Sequence, residues 1–165
     1  MAAIPDIGDE IVSKATVRVV SSIALAFAAS LPVAAAAAAV EPCLATAASE
    51  YGIPTRILDA MRAASVEDAP KNTAAAAGEF GSMRLGEPTI RIGAKAIGIS
   101  AERAKSEACA SYRVAAWLLD QKRQDAGGDL WMGLRAYRVG NSKTATATAI
   151  GDQYVATIKS LAGER

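Results

Sequence analysis

The sequence predicts a small all-α domain with a loop-rich middle segment. Apolar residues recur at helical spacing in several stretches beyond residue 40, and no alternating strand run of real apolar character accompanies them. Glycine, proline, serine and aspartate fall at the ends of those stretches, where helices start and stop. Between Val66 and Gly86 the periodicity gives way to charge, alanine and glycine, which marks a loop region with room for a hairpin or a short helix.

The chain opens on a segment that reads as removable. Val19 to Val40 is apolar except for Ser21, Ser22, Ser30 and Pro32, follows Lys14 and Arg18, and ends in the alanine run Ala34 to Ala39. A basic flank, an apolar centre and small residues for cleavage make a signal-peptide layout. Residues 1–39 are therefore expected to be removed and residues 40–165 to form one exported, periplasmic domain. The alternative is a retained membrane anchor, because the run is about as long as a bilayer span. Weakly lipophilic alanine and the interruption at Pro32 favour cleavage.

Pro42 to Tyr51 predicts a first helix with Leu44, Ala47 and Ala48 on one side, ended by Gly52. Pro54 suits the first turn of a second helix, in which Ile57, Leu58, Met61 and Ala64 repeat at helical spacing and Ser65 falls at or just past the last turn. Thr89 to Ile97 predicts a short helix closed by Gly98, and Ser100 is a cap for the next turn. Glu107 to Gln124 carries the strongest helical pattern, with Val114, Trp117, Leu118 and Gln121 stepping round one face. After Gly127-Gly128, Asp129 caps a helix bearing Leu130, Trp131, Leu134 and Tyr137, and Tyr154 to Leu161 closes the domain. Thr144 to Ala149 alternates weakly and reads as loop or helix start.

Composition narrows the chemistry. The 18 basic and 17 acidic residues nearly cancel and form no basic stripe, so nucleic acid is not an expected partner. The chain holds no histidine, which excludes Ser-His and Cys-His nucleophiles and His-ligated metals. No metal or cofactor is expected, whereas carboxylate chemistry remains open. Export to a disulfide-permissive space makes Cys43 and Cys109 read as one long-range bridge, the alternative being two separate buried thiols.

Four segments, taken in order, carry a resemblance. They are Cys43-Leu-Ala-Thr-Ala-Ala-Ser-Glu-Tyr51-Gly52-Ile53-Pro54, then Ile57-Leu58-Asp59-Ala60-Met61, then Gly81-Ser82-Met83-Arg84-Leu85. The fourth runs from Glu107-Ala108-Cys109 through Val114-Ala-Ala-Trp-Leu-Leu119 and Trp131 to Ala136-Tyr137-Arg138-Val139-Gly140. From Cys43 to about Val155 the chain resembles the soluble lytic transglycosylase family, whose fold is goose-type-lysozyme-like. Within it, the similarity is greatest to the small exported branch associated with conjugation and type IV secretion. The resemblance implies a lysozyme-like helical fold, peptidoglycan glycan strands as ligand, and envelope proteins of a secretion apparatus as partners. It also implies a groove formed by Gly81, Ser82, Met83, Arg84 and Tyr137.

The same resemblance locates the reaction's acid. In the family a glutamate of raised pKa at the end of the second helix protonates the leaving oxygen, and then acts as base while the sugar's C6 hydroxyl closes an anhydro ring. Counting from Cys43 or back from Pro70, that position is Ser65, followed by Val66 in place of the family serine. A serine hydroxyl holds its proton too tightly to serve as general acid. Arg84 stands for the family glutamine and Arg138 for an asparagine. The expected protein is thus a non-cutting relative that holds a glycan or an envelope machine. Two alternatives stand beside it: an active enzyme using Glu67 as a displaced acid, which requires the helix to end before it, and an exported scaffold or inhibitor with no glycan affinity.

Overall fold

The computed structural model describes residues 41–67 and 78–164. The leader with its anchor alternative and Pro70 lie outside the described residues. Within them the all-α class holds, as seven helices and one two-stranded hairpin, and no described helix is long and apolar enough to cross a membrane.

Helix α1 (Pro42–Glu50) carries its proline in the first turn, where an absent N–H leaves no hydrogen bond unmade. It buries Leu44, Ala47 and Ala48, the face its sequence predicts. Helix α2 (Thr55–Glu67) begins one residue after Pro54. Where the sequence places Pro54 inside the first turn, the structure uses it as the flanking residue. Its carbonyl accepts from the Ile57 and Leu58 N–H groups at 2.8 and 3.3 Å.

The described end of the middle segment, residues 78–86, holds strands β1 (Glu79–Phe80) and β2 (Leu85–Gly86), antiparallel, with Glu79 opposite Gly86 and Phe80 opposite Leu85. The turn between them, residues 81–84, runs straight on through β2 into α3 (Glu87–Ala96). Next come α4 (Ala101–Ser106) and the long α5 (Ala108–Asp125). The Ser100 hydroxyl accepts from Arg103 N–H at 3.3 Å and so caps α4 as expected. Helix α6 (Leu130–Val139) is capped by Asp129, whose carboxylate accepts from Trp131 and Met132 N–H at 2.8 and 3.0 Å. Helix α7 (Ala145–Leu161) starts well before Tyr154, because the Thr144 hydroxyl caps it by accepting from Ala147 N–H at 3.2 Å. The weak alternation there is a helix start rich in alanine, the best helix former.

Helix α5 is the centre: α1, α3, α4 and α6 pack on it, and α7 packs on α6 and α2. Being covered on several sides, α5 buries more than one stripe. Ala110, Ser111, Tyr112, Val114, Ala115, Ala116 and Leu119 are its buried residues. The face expected from Val114, Trp117, Leu118 and Gln121 is corrected accordingly, since Gln121 is exposed and Trp117 and Leu118 are half-buried. Single-stripe periodicity misses a helix with neighbours all round, whose small residues let those neighbours close in. Gly93 shows how close: a Cβ there would sit 2.6 Å from Val114 Cγ1 and 3.1 Å from Trp117 Cε3, so α3 meets α5 through its bare backbone.

Cys43 and Cys109 form the expected disulfide, with Cα atoms 5.4 Å apart across 66 residues of sequence, and it ties α1 to α5. Two turns further along α1 and one along α5, Arg113 Nη2 meets Glu50 Oε1 at 2.9 Å and repeats the same tie as an ion pair. At about a third exposed on each side, that pair contributes well under about 1 kcal/mol.

Candidate functional site

Four of the residues that the sequence singles out converge. Ser65 from the last turn of α2, Met83 and Arg84 from the hairpin turn, and Tyr137 from α6 line one cleft of about 200 Å³. The lining is completed by Glu79, Leu85, Gly86, Thr89, Leu118, Arg138 and Tyr154. Gly81 and Ser82 belong to the same turn without lining the cleft. Glu67 is the last residue of α2, its side chain outside the described part of the structure.

The turn is held from behind by α5. Ser111 is fully buried in a face otherwise made of alanine and apolar residues. Its hydroxyl accepts from Met83 N–H at 3.1 Å, satisfying a backbone donor that would otherwise be buried unpaired. Gly81 is required for the same approach. Its φ of +70° is left-handed, and a Cβ would lie 2.6 Å from Ser111 Oγ and 2.9 Å from the Ala104 carbonyl. Gly81→Ala is therefore expected to destabilise the domain by on the order of 2–3 kcal/mol, read as a lowered denaturant midpoint with unchanged slope. Ser111→Ala removes only the acceptor. It should cost about 1–3 kcal/mol and speed amide exchange at Met83 selectively, which hydrogen exchange reads directly.

Nothing in the sequence pattern picks Ser111 out as a support. Its one signal is a small polar residue two positions after Cys109, on a helix face filled with alanine. Leu118 and Tyr154 join the cleft for a similar reason: helical spacing assigns them to packing, and only the fold brings them to the rim of a concavity. Trp117 and Trp131 stay out of it. Trp117 covers Gly93, and Trp131 packs against the core with Lys159 Nζ 4.7 Å from its ring centroid.

Ser65 is half-buried, and its Oγ donates to the Met61 carbonyl one turn back at 2.8 Å. The Met83 carbonyl lies 3.5 Å from the same oxygen. Since a hydroxyl has one proton, Ser65 presents only lone pairs to the cleft. Arg84 has a left-handed backbone, φ +48°, uncommon for a residue with a side chain. Its side chain is 23% exposed, with Nε 3.1 Å and Nη2 3.0 Å from Glu79 Oε2. The Nη2 contact is out of line, leaving that buried nitrogen without a hydrogen bond.

Tyr137 stacks on Tyr154 with ring centroids 6.3 Å apart, and Arg138 Cζ lies 5.5 Å from the Tyr154 centroid. Burial, with the nearby Tyr154 phenol adding to it, pushes the Tyr137 hydroxyl well above its usual range against the opposing charge of Arg138. It stays protonated, and is a hydrogen-bond donor, at any physiological pH. Glu79 is the one carboxylate among the described lining residues, and it is already engaged by Arg84. No cluster of metal-ligating side chains occurs among the described residues. The described lining residues offer hydroxyl and guanidinium groups, and their one carboxylate is held in an ion pair.

Comparison with protein-family models, with curated proteins and with solved structures finds no match for this chain.

Proposed function

We propose that the protein is an exported, lysozyme-like domain of the lytic transglycosylase type that binds peptidoglycan strands without cutting them, in the service of a conjugation or type IV secretion apparatus. The observation that carries this reading is the convergence of Ser65, Met83, Arg84 and Tyr137 on one cleft. Met83 and Arg84 belong to the third segment of the resemblance, Tyr137 to the fourth and Ser65 to the stretch just past the second, and their meeting is what a retained groove requires. The non-cutting half rests on Ser65, whose proton is spent on the Met61 carbonyl. Support also comes from α2, which is helical through Glu67. Two residues of helix amount to a rotation of about 200°, so position 67 does not share the face of position 65. A helix that runs through Glu67 speaks against a displaced acid at that position.

Co-sedimentation with purified sacculi tests the binding half. The disulfide-intact protein should pellet with sacculi and be released by soluble glycan fragments. Tyr137→Ala together with Arg138→Ala should weaken retention at least severalfold while leaving the helical signature intact. A protein that stays in the supernatant at every sacculus concentration is a scaffold or inhibitor of another kind.

A further inference from the structure

Most lysines and arginines among the described residues meet a carboxylate within 4.0 Å. Arg91 and Lys95 of α3 do not, and both are exposed. Four residues apart, they are neighbours on one helical face, where two like charges cost helix stability. The carboxylate placed to offset them is Glu87, one turn before Arg91, and it is drawn off to Lys105 Nζ at 2.8 Å. Glu102 of the adjoining α4 is held by the same ammonium at 3.3 Å. Lys95 gains something from the helix dipole in the last turn, whereas Arg91, further from that end, gains little. Beside the two cations stands Ile92, 63% exposed although Ile90 on the same helix is fully buried. Turning α3 to cover Ile92 is closed off, because Gly93 already brings the helix backbone against Val114 and Trp117. With Pro88, these three side chains border a shallow trough of about 310 Å³ on the outside of the helix.

We infer that this face of α3 docks on an anionic lipid surface, with Arg91 and Lys95 reaching lipid phosphates and Ile92 entering the acyl boundary. Long cationic side chains lay their methylene stems along apolar surface while their heads reach the headgroups, so the two cations and the isoleucine engage together. The trough's described walls are flexible side chains of one helix, which lack the fixed shape that the core of a protein interface matches. A fluid lipid surface conforms to them. Two cations and one large apolar side chain give reversible, salt-sensitive attachment. Thr89 of the same helix lines the cleft, so docking through α3 holds the cleft close to the membrane. No polar group of the cleft takes part, and lipid docking and glycan retention therefore succeed or fail separately.

Flotation of the disulfide-intact protein with phosphatidylcholine vesicles, with and without phosphatidylglycerol, reads the docking directly. Every variant carries the same amino terminus, so any contribution of the leader cancels. Vesicles containing phosphatidylglycerol should bind about tenfold more tightly or better, and high salt should release the protein. Arg91→Gln with Lys95→Gln should lose about tenfold of that affinity or more, and Ile92→Ser about threefold or more. Lys143→Gln is the control, since Lys143 is an exposed cation without a partner on the loop before α7 and its loss should leave binding within about twofold. All four positions are exposed, so thermal midpoints should not move. Equal binding to both vesicle types, binding to neither, or a loss from Lys143→Gln as large as that of the double variant overturns the inference. Capture of soluble polyglutamate through Arg91 and Lys95 without vesicle binding would assign the face to an acidic protein instead, and displacement of vesicles by dilute inorganic phosphate would assign it to the free ion; either overturns the lipid surface. Retention on sacculi should be the same in every variant. Vesicle binding without sacculus retention keeps this inference and sinks the peptidoglycan reading.

Discussion

Purified peptidoglycan incubated with the native protein is expected to yield no anhydro-muropeptides, and Ser65→Glu alone should restore little. Without a general acid, about a hundredfold to ten-thousandfold of rate is lost. Restoring a carboxyl group at position 65 is not sufficient, because the acid must be protonated when substrate arrives. Arg84 lines the same cleft, and the turn that carries it reaches to within 3.5 Å of the present Ser65 hydroxyl through the Met83 carbonyl. A cation within ~4–6 Å lowers a carboxyl pKa by about 1–3, so the new acid would be ionised at neutral pH. Ser65→Glu with Arg84→Gln removes that charge and is expected to release anhydro-muropeptides at least about tenfold faster than the single variant. Chromatography of the soluble products against a heat-inactivated control is the measurement. Turnover by the native protein that disappears in Glu67→Gln would make Glu67 a working acid and return the chain to the enzymes.

The elements that could be read from the sequence are those whose signals are local. Asp129 and Ser100 cap where they stand because a short oxygen-bearing side chain before an apolar run leaves the backbone few better options. Leu44, Ala47 and Ala48 face inward because α1 has one packed side. Local signals fail on α5, where Gln121 sits in phase with Val114 and yet faces solvent. Four helices pack on α5, and which of its faces they cover is a tertiary fact.

The cleft divides the same way. Ser65, Met83, Arg84 and Tyr137 were accessible through motif order, which preserves the sequence of contacts along a groove. Ser111 and Tyr154 were not, because each acts on the cleft across a helix–helix contact that no spacing rule encodes. Arg84's left-handed backbone was equally hidden, since a turn with glycine at its first position predicts a positive φ at that glycine and not three residues later.

Loss of the Cys43–Cys109 bridge is expected to cost about 4 kcal/mol. In the chain-entropy model a closed loop of this length, 66 residues of separation, removes that much freedom from the unfolded chain. The structure indicates that little else can replace it. Its α1 end stands at the very start of the domain, where Pro42 and Cys43 occupy the first turn, and beyond Leu44, Ala47 and Ala48 the helix is held by a partly exposed ion pair. Cys109 is exposed and Cys43 half-buried, so the bridge is open to reductant without prior unfolding. Dithiothreitol or the double change Cys43→Ala, Cys109→Ala should lower the thermal midpoint by on the order of 15 °C for a domain of this size. Because the cleft is built from α2, the hairpin, α3, α5, α6 and α7, and α1 contributes no lining residue, ligand affinity at low temperature should survive reduction. A midpoint that does not move on reduction would show that α1 is held by its apolar face alone, and that the bridge guards against something other than unfolding.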